Sequence, residues 1–269
     1  MAKQTSLLKF RGKLGDLIGY KVGKTFFIRS APEHVHQTYR TQIASGYFGK
    51  ASRLGAVMRR AMKGMLHVPS ERGAVNSLNK ALLHVLRQDD MNRRKQFIPR
   101  NFGELQGFSF TPHASLDRVL EVKPTIVRDY HGRLHVTVPA IDAHACNPRA
   151  THVCIRAVAV HVHPGRTTAT ASASEPVLLS AGEPSEAFTL VVPGVRDVVS
   201  CVILEVTSVQ EEHGRYYQLQ NRKYSAAEVI AVLGPKSAQA MQVHSPYASR
   251  MRQRLPLVEG LIIHPMQRE

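Results

Sequence analysis

Near residue 107 the hydrophobic period of this chain changes from helical to strand-like, and that switch limits the fold more than any motif does. Beyond it, short runs rich in β-branched and aliphatic residues recur with regular turn signals between them. The runs span 107–111, 119–122, 125–130, 133–139, 151–163, 176–180, 187–192, 198–209 and 215–224. His131-Gly132 and His213-Gly214 stand between alternating segments, as hairpin turns do. Eight or nine strands at this spacing predict an antiparallel β-sandwich over residues 102–235. The polar segment 167–174, TTATASAS, suits an edge strand or a surface loop.

Ahead of the switch lies a different kind of chain. Residues 7–10, 17–22 and 25–29 form three short apolar pieces separated by glycines, which predicts a small β-meander. From about Gln42 to Leu66 the period is helical: Ile43, Tyr47, Ala51, Leu54, Met58, Met62 and Met65 make one apolar stripe. Lys50, Arg53, Arg59, Arg60 and Lys63 are expected on the opposite side at about 100° per residue. A second helix is expected from about Glu71 to Asp90, with Ser70 as its N-cap and Val75, Leu78, Leu82, Val85 and Leu86 as its stripe. The two stripes predict a helical hairpin. The run Asn92-Arg93-Arg94-Lys95 and then Pro99-Arg100-Asn101 read as a basic linker, so the fold class is α+β with a domain boundary at 101/102. The segment 236–269, with Arg250-x-Arg252-x-Arg254 and the apolar residues beyond it, reads as a tail.

Charge follows the same division. Residues 1–100 hold 20 Lys and Arg against 5 acids, whereas 101–269 hold 16 against 15, and the whole carries +16. Positive charge gathered on one module points to nucleic acid or another polyanion as partner. The residues that would neutralise phosphates are Lys50, Arg53, Arg59, Arg60 and Lys63 on the helix, with Arg93, Arg94 and Lys95 on the linker. The alternative is a shell-type assembly subunit, in which a β-sandwich forms the wall and the basic part faces a polyanion or a neighbouring subunit. A homo-oligomer is expected under either reading. With no Trp and a 6% aromatic share, a glycan-binding module is the weaker idea.

Residues 7–29, LLKFRGKLGDLIGYKVGKTFFIR, resemble the opening of a protein family of the Bacteroidota. In that family an LKFxGxLGDLxxYK-type segment precedes a glycine-bearing basic helix with an FGKAxxLG-like run, here Phe48-Gly49-Lys50-Ala51-Ser52-Arg53-Leu54-Gly55. Leu105-Gln106-Gly107-Phe108-Ser109-Phe110 resembles the point where the family's β-rich part begins. The resemblance covers most of 7–110 and more loosely the rest. It implies a shared architecture and brings no activity with it.

Catalytic and metal chemistry find little support. There is no GxSxG elbow, GxxxxGK[ST] loop or GxGxxG, and Asp89-Asp90 and Glu211-Glu212 read as solvated pairs beside a helix end and a turn. His144/Cys146, His152/Cys154 and His161/His163 offer soft and imidazole ligands. In a regular strand, however, His152 and Cys154 face away from His161 and His163. A non-enzymatic protein with no cofactor and no metal is therefore expected. Three cysteines without CxxC spacing suit a reducing compartment. The absence of a run of about 20 apolar residues argues against a membrane helix, and Lys9, Arg11 and Lys13 interrupt any early apolar leader, so a cytoplasmic location is expected.

Overall fold

The computed structural model describes residues 2–5, 9–34, 36–68, 73–141, 147–235 and 263–265 of the chain. It forms two compact units, Met1–Ser45 and Gly46–Glu269, whereas charge and hydrophobic period divide the sequence near 101.

The first unit is a four-stranded antiparallel sheet in the order β1-β4-β3-β2, made of β1 (Ala2–Lys3), β2 (Gly12–Leu14), β3 (Leu17–Val22) and β4 (Thr25–Ser30). Positive φ at Gly15 and Gly23 lets the chain reverse tightly between these strands. Strands were expected at 7–10, 17–22 and 25–29. The second and third form as β3 and β4, but Lys9 and Phe10 are not in a strand, and residues 6–8 lie outside the described ones.

Helix α1 (Tyr39–Met62) and helix α2 (Ala74–Arg87) supply the helical pair. The expected cap residue Ser70 and the expected start at Glu71 lie outside the described residues. Gly73 occupies the N-cap with no side-chain hydrogen bond. Within the second unit α1 buries Ala51, Leu54, Gly55, Met58 and Met62, and α2 buries Leu78, Leu82, Val85 and Leu86. Tyr39, Ile43 and Phe48 are exposed, so the buried stripe begins later than the helical period suggests. The helices approach closely at Gly55, where a Cβ would fall 2.5 Å from Asn79 Oδ1.

The rest of the second unit is dominated by two long strands, β7 (His152–His163) and β11 (Val199–Glu212), paired antiparallel without a register shift from Val199/Val162 to Val209/His152. Before them come β5 (Thr125–Arg128) and β6 (Leu134–Val138). Then β8 (Thr168–Ala173) and β9 (Val177–Ser180) pair with the free edge of β7. β12 (Arg215–Gln218) and β13 (Ala226–Leu233) share that of β11. β14 (Ile263–Pro265) completes this seven-stranded sheet by pairing with β12, and that pair is parallel. A second sheet of three strands has the order β10-β6-β5, with β10 at Phe188–Val192.

Both faces of the large sheet are covered. Val153, Ile155, Ala157, Ala159, Val202, Leu204 and Val206 share a core with Leu134, Val136, Val138, Phe188, Leu190 and Val192 of the three-stranded sheet. Val158, Val160, Val162, Val199, Cys201 and Ile203 share another with Leu54, Met58, Met62, Leu78, Leu82, Val85, Phe102 and Leu105. The result is three layers: helices, large sheet, small sheet. Two-sided burial explains why β7 and β11 read as nearly continuous apolar runs. Apolar burial of this kind stabilises by about 25 cal/mol per Å².

Three local expectations change. Residues 119–122 do not form a strand: Leu116–Val119 is a short helix that ends in an isolated bridge at Leu120. Residues 107–111 run beside β13, bonding through Gly107, Phe108 and Phe110 with only one formal bridge, Ser109 to Glu228. β13 itself lies in a stretch with no expected strand.

Candidate functional site

The cationic residues of α1 spread widely around the helix. At about 100° per residue, Lys50 and Arg59 lie about 180° apart, on opposite flanks of the buried stripe. The structure bears this geometry out. Arg59 is half-buried and its Nη1 donates to Asn79 Oδ1 of α2 at 3.3 Å, while Lys50 Nζ donates to the Lys95 carbonyl at 2.8 Å. Arg53 and Arg60 are exposed and donate from Nε to the carbonyls of Gly49 and Ala56, and Lys63 is exposed just past the helix end. The five cations therefore fan over about half of the helix on the side away from the buried stripe, with Lys50 and Arg59 drawn to its two edges and Arg53, Arg60 and Lys63 exposed between them.

Lys50 and Arg53 meet the basic connector. Together with Arg94, Gln96 and Phe97 they line a cleft of about 440 Å³, which Pro164, Gly165 and Thr167 of the β7–β8 turn also line. No carboxylate is among these lining residues. Thr167 has φ +52°, a conformation that holds the turn in its tight form. Phe97 packs against Phe102, with ring centroids 5.8 Å apart, and so is anchored to the helix-side core.

The connector owes its shape to Asp89. Its Oδ1 accepts from the backbone N–H groups of Met91 at 3.0 Å and Asn92 at 3.2 Å, and its Oδ2 accepts from Gln96 N–H at 2.8 Å and Asn92 Nδ2 at 3.0 Å. Lys95 Nζ adds a bond to the Asp89 carbonyl. Burial pushes the Asp89 carboxyl up, but these donors outweigh it and hold it below the usual carboxylate range. Asp89 is thus a fully buried hub rather than a solvated end, whereas Asp90 forms an exposed pair with Arg100 at 2.6 Å. Arg93 and Arg94 stand exposed on the loop that the hub closes. Of the expected phosphate contacts, Lys50, Arg53 and Arg94 come together; Arg59, Arg60, Lys63 and Arg93 do not line the cleft, and Lys95 serves the loop.

Strand parity separates the histidine pairs as the sequence suggests. His161 lies on the small-sheet side of β7, and Cys154 lies on the opposite side with Arg156. His144 and Cys146 lie outside the described residues. His161 is buried among Ser200 Oγ at 2.9 Å from Nδ1, Ser172 Oγ at 3.0 Å from Nε2 and the Pro193 carbonyl. Desolvation and the nearby Arg128 guanidinium lower its pKa and keep the ring neutral, though the Pro193 carbonyl opposes them. Burial pushes the Cys154 and Cys201 thiols up to about 12, which removes them as nucleophiles at neutral pH.

No protein-family model, curated protein or solved structure matches the chain. No helix among the described residues is long and apolar enough to cross a membrane.

Sequence reasoning found the cations but missed Gln96, Phe97 and the β7–β8 turn. The dipeptide Pro164-Gly165 marked that turn locally. Its approach to a helix more than a hundred residues earlier is tertiary and left no local trace.

Proposed function

We propose that this is a non-enzymatic, cytoplasmic protein that associates with nucleic acid, binding phosphate backbones through its basic N-terminal part. An antiparallel β-sandwich, formed by the large sheet and the β10-β6-β5 sheet, carries that part. The observation that supports the reading is the cleft: Lys50, Arg53 and Arg94 arrive from two segments of chain, and no acid lines the space they share. Cations converging on a partly enclosed surface attract phosphates and release their counterions, with little dependence on base sequence.

Titration of the protein into fluorescein-labelled single- and double-stranded DNA and RNA, over about 50 to 200 mM salt, tests it. Binding should weaken steeply with salt. Lys50→Gln, Arg53→Gln and Arg94→Gln should each lower affinity uniformly across sequences and reduce the salt slope by about 1. Absence of binding to every polynucleotide at the lowest salt would overturn the reading.

A further inference from the structure

The first unit carries eight Lys and Arg against two acids. Its sheet has two unlike faces. On one, Phe10 lies so close to Gly19 that a Cβ there would fall 2.6 Å from the Phe10 carbonyl and 2.8 Å from its ring. The same side holds Phe26, with Lys9 and Lys21 at 5.8 and 5.4 Å from its ring centre. Gln4 pins this crossing segment, accepting from Phe10 N–H and donating to the carbonyls of Phe10 and Phe27.

Residues directly paired across antiparallel strands share a face. Tyr20 pairs with Phe27, Ile18 with Arg29, Lys13 with Ile18, and Lys3 with Phe27. The second face therefore carries Tyr20, Phe27 and Ile18 together with Lys3, Lys13 and Arg29. Tyr20 and Phe27 stack, with centroids 5.8 Å apart and planes inclined by 24°. Both rings and Ile18 are half-buried, and the three cations are exposed.

We infer that this Tyr20–Phe27 face is a stacking platform for the bases of a single-stranded nucleic acid, with Lys3, Lys13 and Arg29 meeting its phosphates. Charge complementarity chooses the occupant: apolar rings framed by cations on a strongly basic unit fit a chain that alternates flat bases with anions. A duplex keeps its base faces stacked inside, so only a single strand presents them. The inference rests on the reading that the chain binds nucleic acid, and it adds a second surface and a strand preference.

The test compares binding of the full chain to a labelled oligothymidylate and to an abasic oligomer of equal length and charge. Stacking is worth about 1–3 kcal/mol per base, so the oligothymidylate should bind at least about fivefold more tightly. Tyr20→Leu should remove most of that difference and leave abasic binding unchanged. Ultraviolet cross-linking of the native chain to oligothymidylate should place adducts on Tyr20 or Phe27, a readout independent of how the variant folds. The exposed pair Lys13→Gln and Arg29→Gln should weaken both oligomers equally. Equal binding of the two oligomers, or adducts confined to other peptides, would overturn the platform while leaving the general reading intact. Failure to bind either oligomer would overturn the platform, and failure to bind every single- and double-stranded polynucleotide as well would overturn both.

Discussion

Arg156 and Glu205 face each other across β7 and β11 and form a buried ion pair at 2.8 Å on the helix side of the large sheet. The pair does more than join two strands. Glu205 Oε1 accepts from the backbone N–H groups of His67 and Val68, and Arg156 donates to the Met65 carbonyl. Gln218 Nε2 reaches the His67 carbonyl at 2.8 Å. The segment that leaves α1 is thereby fastened to the sheet, which fixes where α1 lies and hence where Lys50 and Arg53 point.

Removing one partner leaves the other charged and dry. Glu205→Leu should cost about 3–5 kcal/mol, against a much smaller loss when Arg156→Met accompanies it. Urea unfolding of the four proteins of this double-mutant cycle measures it. An additive cycle would show that the two side chains do not act as a pair.

His161 sets a second expectation, with pH. Its folded pKa lies below its unfolded value of about 6.5 because burial and Arg128 disfavour the imidazolium. Its stabilising contribution is therefore complete above that value and is lost as pH falls toward the folded pKa. His67 is lowered in the same direction, by burial and Arg156, with Glu205 opposing. Stability should thus fall as pH drops below about 6.5, at up to about 1.4 kcal/mol per pH unit for the proton that His161 takes up on unfolding, while solvent screens the contribution of the exposed His67. His161→Gln should flatten that dependence, measured as the urea midpoint at several pH values. An unchanged slope in the variant would assign the proton uptake elsewhere.

Glycines on α1 separate open positions from closed ones. A Cβ at Gly46 or Gly49 would meet nothing within 4 Å, so alanine at either should stabilise the helix by about 0.5–1 kcal/mol. At Gly55 a side chain would meet Asn79 Oδ1 at 2.5 Å and Leu82 at 3.3 Å. Gly55→Val should cost about 1–3 kcal/mol through overpacking. Thermal melts of the three variants decide the order, and a Gly55→Val protein as stable as the parent would disprove the close helix crossing.

How far the sequence reveals all this depends on whether the cause is local. The strands β7 and β11 and the turn at His213-Gly214, with φ +55° and +75°, are legible because alternation and turn chemistry are short-range. β13 is not, because Ala226, Ala227 and Ala231 dilute its strand signal, and its place is secured by β11. The cationic residues are visible, but their grouping is not. Helical angle separates Arg59 from Lys50, while the fold brings Arg94 and the β7–β8 turn to Lys50. Asp89 looks like half of a solvated acidic pair because its partners are backbone N–H groups, which every sequence possesses.

That hidden role supplies the last expectation. Asp89→Asn keeps the shape but sets an amide NH₂ against a loop whose backbone offers only donors, so either its oxygen or its nitrogen must turn the wrong way. The loop holding Arg93 and Arg94 should loosen, and trypsin should cut after these two residues faster than in the parent protein under native conditions. The lowered Asp89 pKa gives the same expectation with acid: the loop's order is complete above the unfolded value of about 3.9 and is lost as pH falls through the folded one. Binding to polynucleotides should weaken in Asp89→Asn although no cation has been removed, because Arg94 no longer sits opposite Lys50 and Arg53. Cleavage at the parental rate would show that Lys95 and the Lys50 bond to its carbonyl hold the loop without the carboxylate.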